Sequence, residues 1–207
     1  MLSATVLDAS ERLRDELEIA FAEPLFDNSA RKRMSVLACS LSLEHAEAVR
    51  LLLASSLVPS ALVAHRAQYE AAVRAVWALY AASEVHIEKL SADLSIDAER
   101  SAKNLPMTSE MMNLLESKAP SVAFQVLNNF KNNSWGALNS YVHAGIHPLK
   151  RHEQGYPVLL IEQVQKNSNA IAIVAAMQAA VLTGRQPLVH EVGKLQIKYQ
   201  NVLPPRI

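Results

Sequence analysis

Apolar residues recur every three or four positions from one end of this chain to the other. Nowhere does a run of β-branched or aromatic residues alternate with polar ones between hairpin dipeptides. A period of 3.6 gathers such residues on one face of a helix, whereas a half-buried strand needs a period of two. Only 5 of the 207 residues are glycine, few for a chain that must turn tightly many times. The expected fold is therefore all-α, a helical bundle of eight or nine helices. The length suits a single domain over residues 1–207, with a core that needs no staple.

Leu7, Leu13, Leu17 and Phe21 mark a first helix from about Ser3 to Ala22, closed by Pro24. A second, from about Ser29 to Ala54, opens with Arg31, Lys32 and Arg33; positive charge at a helix start opposes the macrodipole, so these residues are expected to serve solubility or a partner. Ser55 and Ser56, with Pro59 in the first turn, introduce a third helix that runs to about Ala82. Val85 to Lys103 reads as one solvated amphipathic helix. Two short helices, Glu110 to Ser117 and Pro120 to Lys131, then lead to Asn132-Asn133-Ser134, a cap signal for a helix from Trp135 to between Gly145 and His147. Pro148 disfavours helical geometry in the residue before it, and Lys150 to Gly155 reads as a polar loop. Long and short helices over Pro157 to Thr183 and Leu188 to Tyr199 complete the chain.

Charge narrows the functional classes. With 20 basic and 20 acidic side chains the net charge is zero, so no global field draws in polyanions, and nucleic-acid contact would need a local patch. The single cysteine, Cys39, has no internal disulfide partner and suits an apolar helix face as a small core residue. The first residues are charged and amphipathic, unlike a signal or transit peptide. The longest apolar stretch, Ala170 to Leu182, is interrupted by Gln178 and falls short of the roughly 20 residues a bilayer span requires. A cytoplasmic protein with no membrane partner is expected.

Two helices carry polar residues on apolar faces. In the third, Leu62, Tyr69, Val73, Trp77 and Tyr80 fall within about 60° of Arg66, together with Glu70 and, slightly further round, Arg74. The opposite face holds Ala67, Ala71, Ala75 and Ala78, so both faces are expected to be covered and the charges to pair along one stripe. In the Trp135 helix, Asn139 and His143 share a face with Trp135, Val142 and Ile146, with His147 one turn on. If these helices are neighbours, Arg66, Glu70, Arg74, Asn139, His143 and His147 line one cleft. The remaining histidines, His45, His65, His86, His152 and His190, are expected on surfaces or loops.

The stretch from Trp135 through Asn139 and His143 to His147, with Arg66-Ala67-Gln68-Tyr69-Glu70 before Trp77 and Tyr80, resembles a group of uncharacterised all-helical bacterial proteins related to the HEPN superfamily (higher eukaryotes and prokaryotes nucleotide-binding). The resemblance implies a HEPN-like helical bundle, a homodimer, and in many members a metal-independent ribonuclease of a toxin, antiphage or RNA-processing system. There an Arg followed four to six residues later by a His lines a cleft at the dimer interface. Here Asn139 stands where that arginine is expected before His143. The one literal match, Arg185 to His190, contains Pro187 and straddles a helix break, which makes it a chance occurrence.

Three readings follow. In the first, His143 is general acid or base on a ribose 2′-hydroxyl, Arg66 or Arg74 stabilises phosphate charge, and Glu70 and Asn139 orient them. Lys131, Lys150, Arg151 and His152 then form a basic patch for RNA. In the second, the chain is a non-catalytic dimeric helical module, with an antitoxin, a defence partner or a small ligand as counterpart, and the same residues are structural. In the third, His143 and His147, spaced i, i+4, join Glu70 at a metal; the first two readings need neither metal nor cofactor.

Overall fold

The computed structural model describes residues 3–205, so the outermost two residues at each end of the expected domain lie outside the description. Among the described residues there are ten α-helices, two 3₁₀ turns (Glu18–Phe21 and Gln200–Val202) and no strand. The helices are α1 (Ala4–Leu17), α2 (Ala30–Ala54), α3 (Val58–Tyr80), α4 (Glu84–Ser91), α5 (Ile96–Ala102), α6 (Thr108–Leu115), α7 (Ser121–Val142), α8 (Ile146–Gln154), α9 (Val158–Leu182) and α10 (Gln186–Lys198). The all-α class is as expected. None of the helices is long and apolar enough to cross a membrane.

The count differs from eight or nine for identifiable reasons. Val85 to Lys103 is two helices, because Ala92 leaves helical geometry and the Ser95 hydroxyl accepts from the Ala98 amide to start α5. Asn132-Asn133-Ser134 starts nothing. It lies inside α7, where Asn133 Nδ2 donates back to the Asn129 carbonyl at 2.8 Å and the apolar face of Leu127, Phe130 and Leu138 carries the helix through. The segment expected as a polar loop before Gly155 is α8. Ser56 ends α2 rather than starting α3: it takes φ +60°, and the Leu57 amide bonds the Leu52 carbonyl at 2.8 Å, a left-handed closing turn.

Four long helices, α2, α3, α7 and α9, make the framework; α3 and α9 touch each other and both of the others. On the alanine face of α3, backbones approach closely. Ser35 Oγ donates to the Ala75 carbonyl at 2.8 Å and Ser42 Oγ to the Gln68 carbonyl at 3.1 Å, both from α2, while Cys39 is fully buried there as expected. The other face of α3 buries Tyr69, Val73 and Trp77 against Met111, Met112 and Leu115 of α6 and Leu127 of α7. On the far side of α9, Leu13 and Leu17 of α1 and Leu188 and Val192 of α10 close a second apolar cluster.

The basic run at the start of α2 has structural work of its own. Arg31 Nη1 donates to the Ala78 and Ala82 carbonyls at 2.7 and 2.9 Å, and its Nη2 pairs with Glu84. The carbonyls that end α3 have no helical partner, and a guanidinium satisfies them while complementing the dipole. Lys32 pairs with Asp27, and Arg33 donates to the Asn28 carbonyl.

Candidate functional site

The site assembles where α3 meets α7. Arg66 faces Asn139, and Tyr69, one turn along α3, meets the Trp135 and Phe130 rings at 5.6 and 4.7 Å, so this part of α3 crosses the middle of α7. Arg66 Nε donates to Glu70 Oε1 at 3.0 Å, Arg66 Nη1 donates to Asn139 Oδ1 at 2.6 Å, and the guanidinium carbon lies 4.7 Å from the centre of the Trp135 ring. The i, i+4 spacing delivers the first contact, and the shared polar stripe of α7 delivers the others. The Arg66 side chain is 17% exposed and that of Glu70 38%, which places the cluster at the rim of the core rather than inside it. Arg74, a turn beyond Glu70, is half-buried and makes no ion pair among the described residues. Burial holds its pKa below the ordinary arginine value, an effect the Glu70 carboxylate opposes.

Neither His143 nor His147 shares a hydrogen bond or ion pair with this cluster. α7 stops at Val142, Ala144 takes φ +49°, and the Gly145 amide bonds the Ser140 carbonyl at 2.8 Å, so the helix closes a turn early. His143 caps it as an exposed residue whose imidazole has no hydrogen-bond partner among the described residues. His147 belongs to α8, exposed, with its backbone amide donating to Ser140 Oγ at 3.1 Å. The single-helix i, i+4 geometry needed for two metal ligands is thus not realised. Among the described residues no three His, Cys, Asp or Glu side chains gather as a metal would require.

Hollows are scarce. One of about 10 Å³ lies among α1, α2 and α9. An open groove of about 210 Å³ runs along α8, lined by Ile146, His147, Lys150, Arg151 and Gln154. Neither borders Arg66 or Glu70. Helix α8 buries no residue, and leaves Ile146 and Leu149 exposed beside Lys150, Arg151 and His152.

One polar centre was not anticipated. His65, expected on the surface, is 1% exposed. Its Nδ1 lies 2.9 Å from Gln68 Oε1, which also accepts from Ser168 Oγ at 2.8 Å, while Gln68 Nε2 donates to the Ser168 carbonyl at 2.8 Å. Gln68 Oε1 has only lone pairs to offer, so Nδ1 carries the proton and Nε2 is left as a buried acceptor without a partner. Burial lowers the imidazole pKa to about 4, against a smaller upward pull from Gln68. His65 and Gln68, one turn apart among alanines, were the available signal for this centre.

No curated protein and no solved structure matches this chain. A family model does: the one described as "Family of unknown function (DUF6988)" covers residues 39–205, from the middle of α2 through α10 and with it every residue of the α3–α7 cluster, and the chain belongs to that family.

Proposed function

We propose that this protein is a non-catalytic helical interaction module in which Arg66, Glu70 and Asn139 are a structural clamp and α8 is the element that meets a partner. The observation that carries this reading is that Arg66 is spent on contacts within the bundle. Its guanidinium is held at once by a carboxylate, an amide oxygen and an indole face, whereas the His143 imidazole is exposed and makes no hydrogen bond to it. A charge-assisted hydrogen bond contributes roughly 1.5–3 kcal/mol and a cation–π contact about 0.5–2 kcal/mol, enough to hold α7 on α3 in one register. Held so, α7 projects α8 with Ile146 and Leu149 exposed beside Arg151, His152 and a Lys150 paired with Glu153 at 2.9 Å, a half-apolar surface with a net positive charge suited to an acidic protein partner, an antitoxin or defence component among them.

The second reading is a HEPN-like, metal-independent ribonuclease. Exposed His143 and His147 stand at the same end of the molecule as Lys150 and Arg151, which favours contact with RNA there. Two measurements separate the readings. Glu70→Ala is expected to lower the melting temperature by several degrees, and the purified wild-type chain to leave single-stranded RNA intact. RNA cleavage that His143→Ala abolishes without loss of fold overturns the module reading.

A further inference from the structure

Helix α2 has two apolar faces, and only one is covered. Ser35, Ala38, Cys39, Ser42 and Val49 are buried on the bundle side. On the other side Leu37, Leu41 and Leu51 stand 59%, 46% and 50% exposed. Together with Met34, Glu44 and Ala48 they follow one another in alternating steps of three and four residues along the helix, in a series that starts at Ala30, itself half-buried against the core. That spacing is the one by which a helix presents a seam to a second helix. A stripe of this kind left in water marks a surface that another molecule covers.

The charges on the seam say which molecule. Arg33 and Glu44 flank the Leu37–Leu41 pair, one at each end. Neither has an ion-pair partner among the described residues; the Arg33 side chain donates to the Asn28 carbonyl alone. We infer that α2 is a contact between two copies of this chain, packed antiparallel about a twofold axis level with Cys39. In that register Leu37 lies against the second copy's Leu41, Met34 against its Glu44, and Arg33 beside that Glu44, and the twofold supplies each contact twice. A parallel pair would set Arg33 on Arg33 and Glu44 on Glu44, like charge against like. The antiparallel pair satisfies both. At the outer ends Leu51 extends past Ala30, the first residue of the second copy's helix. The stripe is short for a permanent interface, so the dimer is weak and concentration-dependent. Arg66 and His143 lie outside it, which separates it from the dimer that the HEPN resemblance implies.

Sedimentation equilibrium from about 1 to about 300 µM tests it, a span that brackets a micromolar dimer. The wild-type average mass is expected to rise across that range from near the monomer value toward twice it, and the Leu37→Asp/Leu41→Asp variant to stay monomeric with unchanged helix content. Arg33→Glu and Glu44→Arg, each alone, should weaken association about tenfold, and the two together should restore it to within about threefold of wild type. A wild type that is monomeric throughout, a dimer that survives the two aspartates, or a charge swap that restores nothing overturns the proposal. So does a dimer indifferent to α2 but broken by Val142→Asp, which would place the interface at α7.

Discussion

The residue with the clearest physical consequence is His65. Its imidazole is neutral in the folded chain, with a pKa of about 4 against an ordinary 6.5. Between those two values the unfolded chain binds a proton that the folded chain refuses. Stability therefore falls as pH falls from 6.5 to 4, and the difference corresponds to roughly 3 kcal/mol by the end of that window. Replacing His65 by Leu should flatten this dependence, and melting temperatures recorded at half-unit steps from pH 7 to 4 would show it. A wild-type curve that is flat above pH 5 would mean the imidazole is protonated in the fold. Carboxylates held low by cationic partners, such as Asp27 at about 2 beside Lys32, weaken the fold only below about pH 5, so the fall between pH 6.5 and 5 belongs to the imidazole. Sequence periodicity left His65 on neither face of α3, since its direction lies between the alanine and aromatic stripes. What buries it is α7: the Phe130 ring meets the imidazole edge-on at 4.9 Å. That contact comes from a helix distant in sequence, so no local pattern encodes it.

At the scale of elements, the long helices and the meeting of Arg66 with Asn139 were legible, because a polar residue at i, i+4 spacing on an apolar face demands a partner on whatever helix packs there. The helix ends were not. Cap signals are local and worth about 1 kcal/mol, so a continuous buried face overrides them at Asn132, while a left-handed closing turn at Ala144 stops α7 without a glycine at the turning residue. The glycine that matters is the next one. A Cβ on Gly145 would lie 2.6 Å from Ser140 Oγ, the oxygen that accepts from the His147 amide and anchors the start of α8. Gly145→Ala should therefore free α8 from α7 without disturbing the bundle, because α8 buries nothing. Faster tryptic cleavage after Lys150 and Arg151, with a melting temperature within about two degrees of wild type, is the expected outcome. Unchanged cleavage would mean that α8 is held by something other than this turn.

At the scale of the whole molecule, the family match begins at Cys39, yet the packing unit begins earlier. Leu13 and Leu17 of α1 are 1% and 0% exposed against α9 and α10, and Ser10 Oγ accepts from Asn169 Nδ2 of α9 at 2.9 Å. Glu16 accepts from Tyr199 at 2.6 Å and from Lys198, which draws its carboxyl below the ordinary range and fastens α1 to the end of α10. Two buried leucines contribute roughly 1.5–3 kcal/mol each and the hydrogen bonds about 1 kcal/mol apiece, a total near 5 kcal/mol or more. Folded domains hold only about 5–15 kcal/mol in all. Deleting residues 1–28 keeps every position of the family match and all of α2, but strips this cover from α9. At roughly 2–4 °C per kcal/mol for a chain of this size, the truncated protein should melt at least about 10 °C lower or lose its cooperative transition. A truncated chain that melts with the full-length protein would show that α1 only decorates a bundle complete without it, and that the second apolar cluster is closed by α10 alone.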